Sequence, residues 1–134
     1  MKCVSVSQPW AWAILAGLQE IEYRCYPTDY RGDLLIHASS EVNDWSRRQL
    51  ALFGRRAPDW EELPFGRVIG LVELWDCEQG SDGIWSWHLR HPRFVKPFRF
   101  HAGRRVFDVD DKCVEVLTRK SPGRDWRYGF SSRR

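Results

Sequence analysis

A chain of 134 residues, 43% of them hydrophobic, lies near the usual size of one domain and can bury a core of its own. No apolar run approaches the roughly 20 residues that span a bilayer, and the opening MKCVSVSQPW lacks the charged-then-apolar plan of a signal peptide; a soluble, cytoplasmic protein without a membrane partner is expected. The formal charge of +3 excludes neither acidic nor neutral ligands, but its distribution, taken up below, points to a polyanion.

Along the chain, Trp10, Ile14, Leu15 and Leu18 recur at helical spacing after the Gln8-Pro9 break, and Gly17 limits this helix to about two or three turns. Glu20, Glu22 and Arg24 then alternate with Ile21, Tyr23 and Cys25, so a strand would carry its three ionisable groups on one face and its bulky groups on the other. A turn through Pro27 to Gly32 leads into the apolar run Leu34 to Ala38, which holds His37. Val42, Trp45, Leu52 and Phe53 form an apolar stripe with Ser40 or Asn43 as N-cap and Gly54 as stop, predicting a second helix laid over one side of the sheet.

Residues 55–65 mix charges and prolines without period and read as a surface loop. The run GRVIGLVELWDCE is apolar on both faces, as a central strand is, yet contains Glu73, which must be paired, protonated or functional. Gly80 to Gly83 make a turn, Phe94, Lys96, Phe98 and Phe100 alternate, and Val109 and Val116 suggest two more short strands. Cys3, Cys25, Cys77 and Cys113 form no CxxC pair, which predicts free, mostly buried thiols rather than a metal ribbon or a disulfide framework.

The chain divides into a domain over 1–117 and a basic tail over 118–134. Beyond residue 117, Arg119, Lys120, Arg124, Arg127, Arg133 and Arg134 meet a single acid, Asp125, which leaves the tail at +5 and the rest at −2. Such a tail suits a nucleic-acid partner or is simply a solvated terminus. Seventeen of the 21 basic residues are Arg, which suits bidentate phosphate contacts and stacking on bases. Eight Trp, seven Phe and four Tyr thicken a small core or present stacking faces, and core filling accounts for most of them.

The pieces QPWAWAILAG at 8–17, the E-x-R of Glu22 and Arg24, the T-x-Y-R-G of Thr28 to Gly32, LLIHAS at 34–39 and FGRVIGLVELWDC at 65–77 together resemble the ASCH domain family, a branch of the PUA-like superfamily. WSWH at 85–88 and FDV at 107–109 fit its later half more loosely. The resemblance implies a small α+β barrel of about five to seven strands with flanking helices, in a family that holds both nucleic-acid-binding modules and hydrolases. Some of its members are amidohydrolases acting on acylated cytidine, with a catalytic Lys in a G-x-K-x-x pattern and a Thr three residues later. Here those positions hold Gln19 and Glu22, and an amide cannot supply the amine's proton or charge.

In the cleft that the resemblance implies between first helix and barrel, Arg24 would clamp a phosphate or base edge and Glu22 would accept from an amino or hydroxyl group. Alternatively the two form a salt bridge with each other or with Glu20. Thr28, Tyr30 and Arg31 would form the rim or a plain turn, Trp10 and Gln19 would flank the cleft, and His37 is either a satisfied core residue or a ligand. His88 and His91 lack the spacing and neighbours of a metal pair, and neither metal nor cofactor is expected. The expected partner is nucleic acid, RNA or a single strand rather than duplex DNA, bound by a monomer. A hydrolase with Glu22 or Glu73 as base and Arg24 as stabiliser, and a protein-binding accessory module, are the alternatives.

Overall fold

Alternation in Lys2-Cys3-Val4-Ser5-Val6 makes a strand with two unlike faces, and in the computed structural model, which describes residues 1–117, this segment is β1 (Lys2–Val6). Val4 and Val6 join the main core, and Cys3 a smaller one beside it. The following helix, α1 (Trp10–Leu15), buries five of its six residues. Its start is held by the buried Gln8, whose Oε1 accepts from Trp12 N at 2.9 Å while Nε2 donates to the Pro64 carbonyl at 3.0 Å. Gly17, at φ +77°, turns the chain out of the helix.

Five further strands complete the sheet: β2 (Ile21–Arg24), β3 (Gly32–Ala38), β4 (Arg67–Gln79), β5 (Trp85–Arg99) and β6 (Val106–Asp108). Their order is β2-β5-β4-β3-β1-β6, with β1 and β3 parallel and every other pair antiparallel. The GRVIGLVELWDCE run is indeed central, paired on both sides. Leu34, Leu35 and Ile36 of β3 are fully buried, each worth roughly 1.5–3 kcal/mol over exposure. Val116 forms a single bridge to Val95 rather than a strand.

The α+β fold and six strands agree with expectation, but the ladder does not close into a barrel: among the described residues no backbone pairing joins β2 to β6. β6 is short and pairs with β1 only from Lys2 to Val4. Carbonyls of β1 alternate between its neighbours; Val6 O accepts from Ser39 N beside β3, and Met1 O from Val109 N beside β6. Ser5 O therefore points past the end of β6. Arg24, on β2 at the other edge of the sheet, donates to it from Nη2 at 2.5 Å. A second side chain spans the same gap, for the Arg105 guanidinium lies 4.5 Å from the Tyr26 ring centre.

Three smaller expectations need correction. The second helix, α2 (Asp44–Gln49), forms with Asn43 as its N-cap, accepting from Ser46 N at 2.8 Å. However, its stripe faces solvent: Val42, Trp45 and Leu52 are 58%, 57% and 68% exposed. After Gln49 the chain tightens into a 3₁₀ stretch over Leu50–Arg56, broken at Gly54, where Leu50 and Phe53 turn inward and Phe53 meets Trp10 and Trp12 edge-on. The 55–65 segment is not a plain surface loop, because Trp60 and Leu63 are buried around a 3₁₀ turn over Trp60–Glu62. The four thiols are free, but only Cys3 is buried; Cys77 is half-buried, and Cys25 and Cys113 are exposed. Burial pushes the Cys3 thiol up to about 12.

The seat of α1 on the sheet is Gly70, where an added Cβ would come 2.5 Å from both methyls of Leu15 and 2.7 Å from the Arg93 carbonyl oxygen. Gly70→Ala is expected to cost about 1–3 kcal/mol, because the backbone contact cannot yield. Urea unfolding monitored by tryptophan fluorescence checks this, and an unchanged midpoint would show that helix and sheet part without cost.

Candidate functional site

On β2, the partners of Glu22 and Arg24 across the ladder are Trp87 and Trp85, and Trp87 is fully buried. Partners directly opposite share a face, so the ionisable residues of β2 point inward and Tyr23 outward. Glu22 and Arg24 form a salt bridge at 3.0 Å, both largely shielded from water. Burial pushes the Glu22 carboxyl above the usual range, and Arg24's charge and hydrogen bond offset only part of that. Arg24 Nε is buried without a partner.

Arg24 also leads to the next group. It holds the Ser5 carbonyl, and Ser5 Oγ lies 2.9 Å from His37 Nδ1 across the parallel β1–β3 pair. His37 Nε2 lies 2.7 Å from the Phe100 carbonyl oxygen. A carbonyl only accepts, so Nε2 carries the proton, Nδ1 accepts, and the Ser5 hydroxyl donates to it. Burial lowers the His37 pKa, which keeps this neutral tautomer in place. Three expected site residues, Glu22, Arg24 and His37, are thus joined through Ser5.

Ser5 and His37 open onto a cleft of about 600 Å³ at the C-terminal ends of β1 and β3. Ser39, Ser40, Phe65, Arg99, Phe100 and His101 contribute to its walls, and no acidic residue lines it. Arg99 and His101 are exposed and make no ion pair among the described residues. Stacking of Phe100 on Phe107, 5.8 Å apart and 14° from parallel, holds the strand end that carries them.

The remaining expected residues lie elsewhere. Thr28, Tyr30 and Arg31 form a turn: Thr28 Oγ1 accepts from Tyr30 N, the Tyr30 hydroxyl donates to the Asp33 carbonyl, Arg31 Nη1 donates to the carbonyls of Thr28 and Tyr30, and Arg31 Nη2 reaches Asp76 at 4.0 Å. This turn precedes β3, whereas His37 lies five residues along that strand, about 16 Å away. Trp10 packs on Phe53. Gln19 donates to Ile21 O and lines a second cleft of about 600 Å³, between the end of α1 and the outer face of β4 and β5.

In that second cleft the Trp75 and His88 rings lie 5.3 Å apart, tilted by 49°, with the Arg90 guanidinium 5.2 Å from the Trp75 ring. Its cations are already spoken for. Arg90 pairs with Glu73 at 2.9 Å and His88 with Glu78 at 2.9 Å. Glu73 is thus paired and half-exposed, its carboxyl held below the usual range by the Arg90 hydrogen bond. Asp76, Glu78 and His88 are the one trio among the described residues with ligand atoms within 4.8 Å of one another, on a rim where both carboxylates are open to water. The tail residues Arg119, Lys120, Arg124 and Arg127 lie outside the described residues.

Ser5, Arg99 and His101 escaped the sequence reading. Ser5 could have been placed on the face opposite Val4 and Val6 by alternation, but its neighbour in a parallel pair 32 residues on carries no local signal. Arg99 and His101 alternate with Phe98 and Phe100 in FRFH, a pattern that does place both basic side chains on one side.

An α+β sheet with one helix across it, its edges joined by side chains and a polar cleft at the strand ends, fits the PUA-like class that the sequence resemblance implied. The sequence profile of the ASCH domain matches residues 4–93, and the chain belongs to that family. Human activating signal cointegrator 1 is 33% identical over 130 residues, covering 82% of this chain, and the mouse protein of that name is 26% identical over the same length. The chain spans only 22% of the length of either relative. The crystal structure of the ASCH protein of Zymomonas mobilis shares the fold, with a TM-score of 0.56 at 14% identity over 83% of this chain and 88% of that one. A point mutant of the same bacterial protein gives the same score, with 91% of its chain covered. No helix among the described residues is long and apolar enough to cross a membrane.

The Glu22 environment has a pH signature. The folded state holds the carboxyl proton more tightly than the unfolded chain does, so stability contributed by the protonated form is lost as pH rises from the ordinary 4.5 through the higher folded value. Glu22→Gln, which cannot ionise, is expected to flatten that decline in urea unfolding across this window. Parallel pH profiles for the two proteins would show that the carboxyl is freely solvated.

Proposed function

We propose that this chain binds single-stranded nucleic acid, RNA foremost, in the cleft at the C-terminal ends of β1 and β3. The observation that carries this is its basic lining: among the described residues Arg99 and His101 make no ion pair and no acidic residue lines the cleft, whereas Arg90 and His88 of the second cleft are already paired with Glu73 and Glu78. A clamp on a phosphate costs little where no carboxylate must be displaced. The six basic residues beyond residue 117, against one acid, add a second electrostatic contribution. Arg24 then acts as a positioning residue, fixing Ser5 rather than gripping the ligand.

The hydrolase alternative has less to rest on, since Glu73 is bound to Arg90 on the outer face and Glu22 to Arg24. A protein-binding role would draw on the exposed Val42, Trp45 and Leu52, but nothing beside them indicates a partner.

Anisotropy of a labelled single-stranded RNA, titrated at several salt concentrations, tests the proposal. Arg99→Gln should weaken binding and reduce the slope of log affinity against log salt by about 0.7, the value of one phosphate contact on a single strand. Removing residues 119–134 should reduce the slope further and leave the Arg99 effect intact. Unaltered affinity and slope in Arg99→Gln would overturn the assignment of the cleft.

A further inference from the structure

The floor of the cleft has a chemical polarity that its charged mouth does not. The Phe100 carbonyl fixes the His37 proton on Nε2, and Nδ1 therefore takes the hydroxyl hydrogen of Ser5. With its one hydrogen committed, Ser5 Oγ can only accept from a ligand. At the mouth the order is reversed, because Arg99 only donates and His101 offers a ring N–H.

Resting on the nucleic-acid reading above, we propose that this cleft selects a nucleotide whose base carries an exocyclic amino group, the amino N–H donating to Ser5 Oγ and the phosphate lying toward Arg99. A volume of about 600 Å³ suits one nucleotide, which falls within the roughly 300–1,000 Å³ of small-ligand sites. Cytosine offers an amino group at the ring edge where uracil has a carbonyl oxygen. Set against Ser5 Oγ, that oxygen would face another acceptor, and both would lose their water without gaining a partner. The uracil ring N–H could reach Ser5 Oγ only with a carbonyl on either side of it crowding that same oxygen. Selectivity of this kind follows from leaving polar groups unpaired, not from extra attraction to the preferred base.

The fixed tautomer also assigns His37 its role. It is a positioning residue that orients the Ser5 hydroxyl, and its burial keeps it from touching the ligand's phosphate.

The experiment is a calorimetric or NMR titration of the full chain with CMP and UMP, which share size, charge and sugar. CMP should bind about tenfold more tightly than UMP, the ratio expected for one unpaired buried polar contact. Ser5→Ala, shown folded by its melting curve, should bind the two alike. Ser5→Thr, which keeps the hydroxyl, should restore the preference. Equal affinities for CMP and UMP in the wild-type protein, or a preference that persists in Ser5→Ala, would overturn the inference while leaving phosphate-dependent binding of RNA intact. Failure to bind either nucleotide together with failure to bind single-stranded RNA would instead bring down the underlying reading of the cleft.

Discussion

The Arg24 guanidinium is the point on which the rest of the molecule turns. It donates at once to the Glu22 carboxylate on its own strand and to the Ser5 carbonyl on β1, a strand four places away in the sheet. A carbonyl left pointing past the end of β6 would otherwise be an unsatisfied acceptor, a loss of roughly 1–3 kcal/mol if it were kept from water. Shielding an ion pair returns little net stability, since desolvation opposes the attraction. The gain is in shape: two sheet edges that never share a backbone ladder are held at a fixed distance.

That fixed distance is what makes the cleft a site. Ser5 is tied by its backbone to Arg24 and by its side chain to His37, and His37 is tied to the strand end that bears Arg99 and His101. Each link leaves one orientation to the next group, so the floor is organised before any ligand arrives. The two clefts of similar volume differ chiefly in electrostatics. Carboxylates on β4 hold the arginine and histidine of the outer cleft, and among the described residues no acid pairs with Arg99 or His101 of the other.

Much of the fold was legible because its signals are local. The helix bounded by Pro9 and Gly17, the β2 alternation and the doubly apolar β4 follow from periods of 3.6 and 2, and the family motifs gave the α+β class. The open ladder was not legible, because how far β6 runs along β1 is set by a pairing between segments far apart in sequence, which leaves no local signal. The Val42–Trp45–Leu52 stripe had the right spacing but the wrong destination, since a pattern of apolar residues does not say which side the sheet is on. At the site, E-x-R identified two residues whose pairing is real, yet their placement relative to a cleft follows from the parallel β1–β3 register. The Thr28–Arg31 motif forms a turn whose polar groups largely bond to one another, with Arg31 also reaching Asp76.

The position of β1 between β3 and β6 has a consequence for how the chain reaches this structure. Lys2 pairs on one side with Leu34 and on the other with Asp108, so the first strand made is completed only by the last, roughly a hundred residues later. Pairings so distant in sequence raise contact order and slow folding. Until β6 arrives, β1 presents a bare edge with apolar Val4 and Val6 beside it, the kind of surface on which partly folded chains associate. The Arg24 to Ser5 clasp spans that same late seam, so the cleft is among the last features to take shape and among the first to come apart when the edge frays.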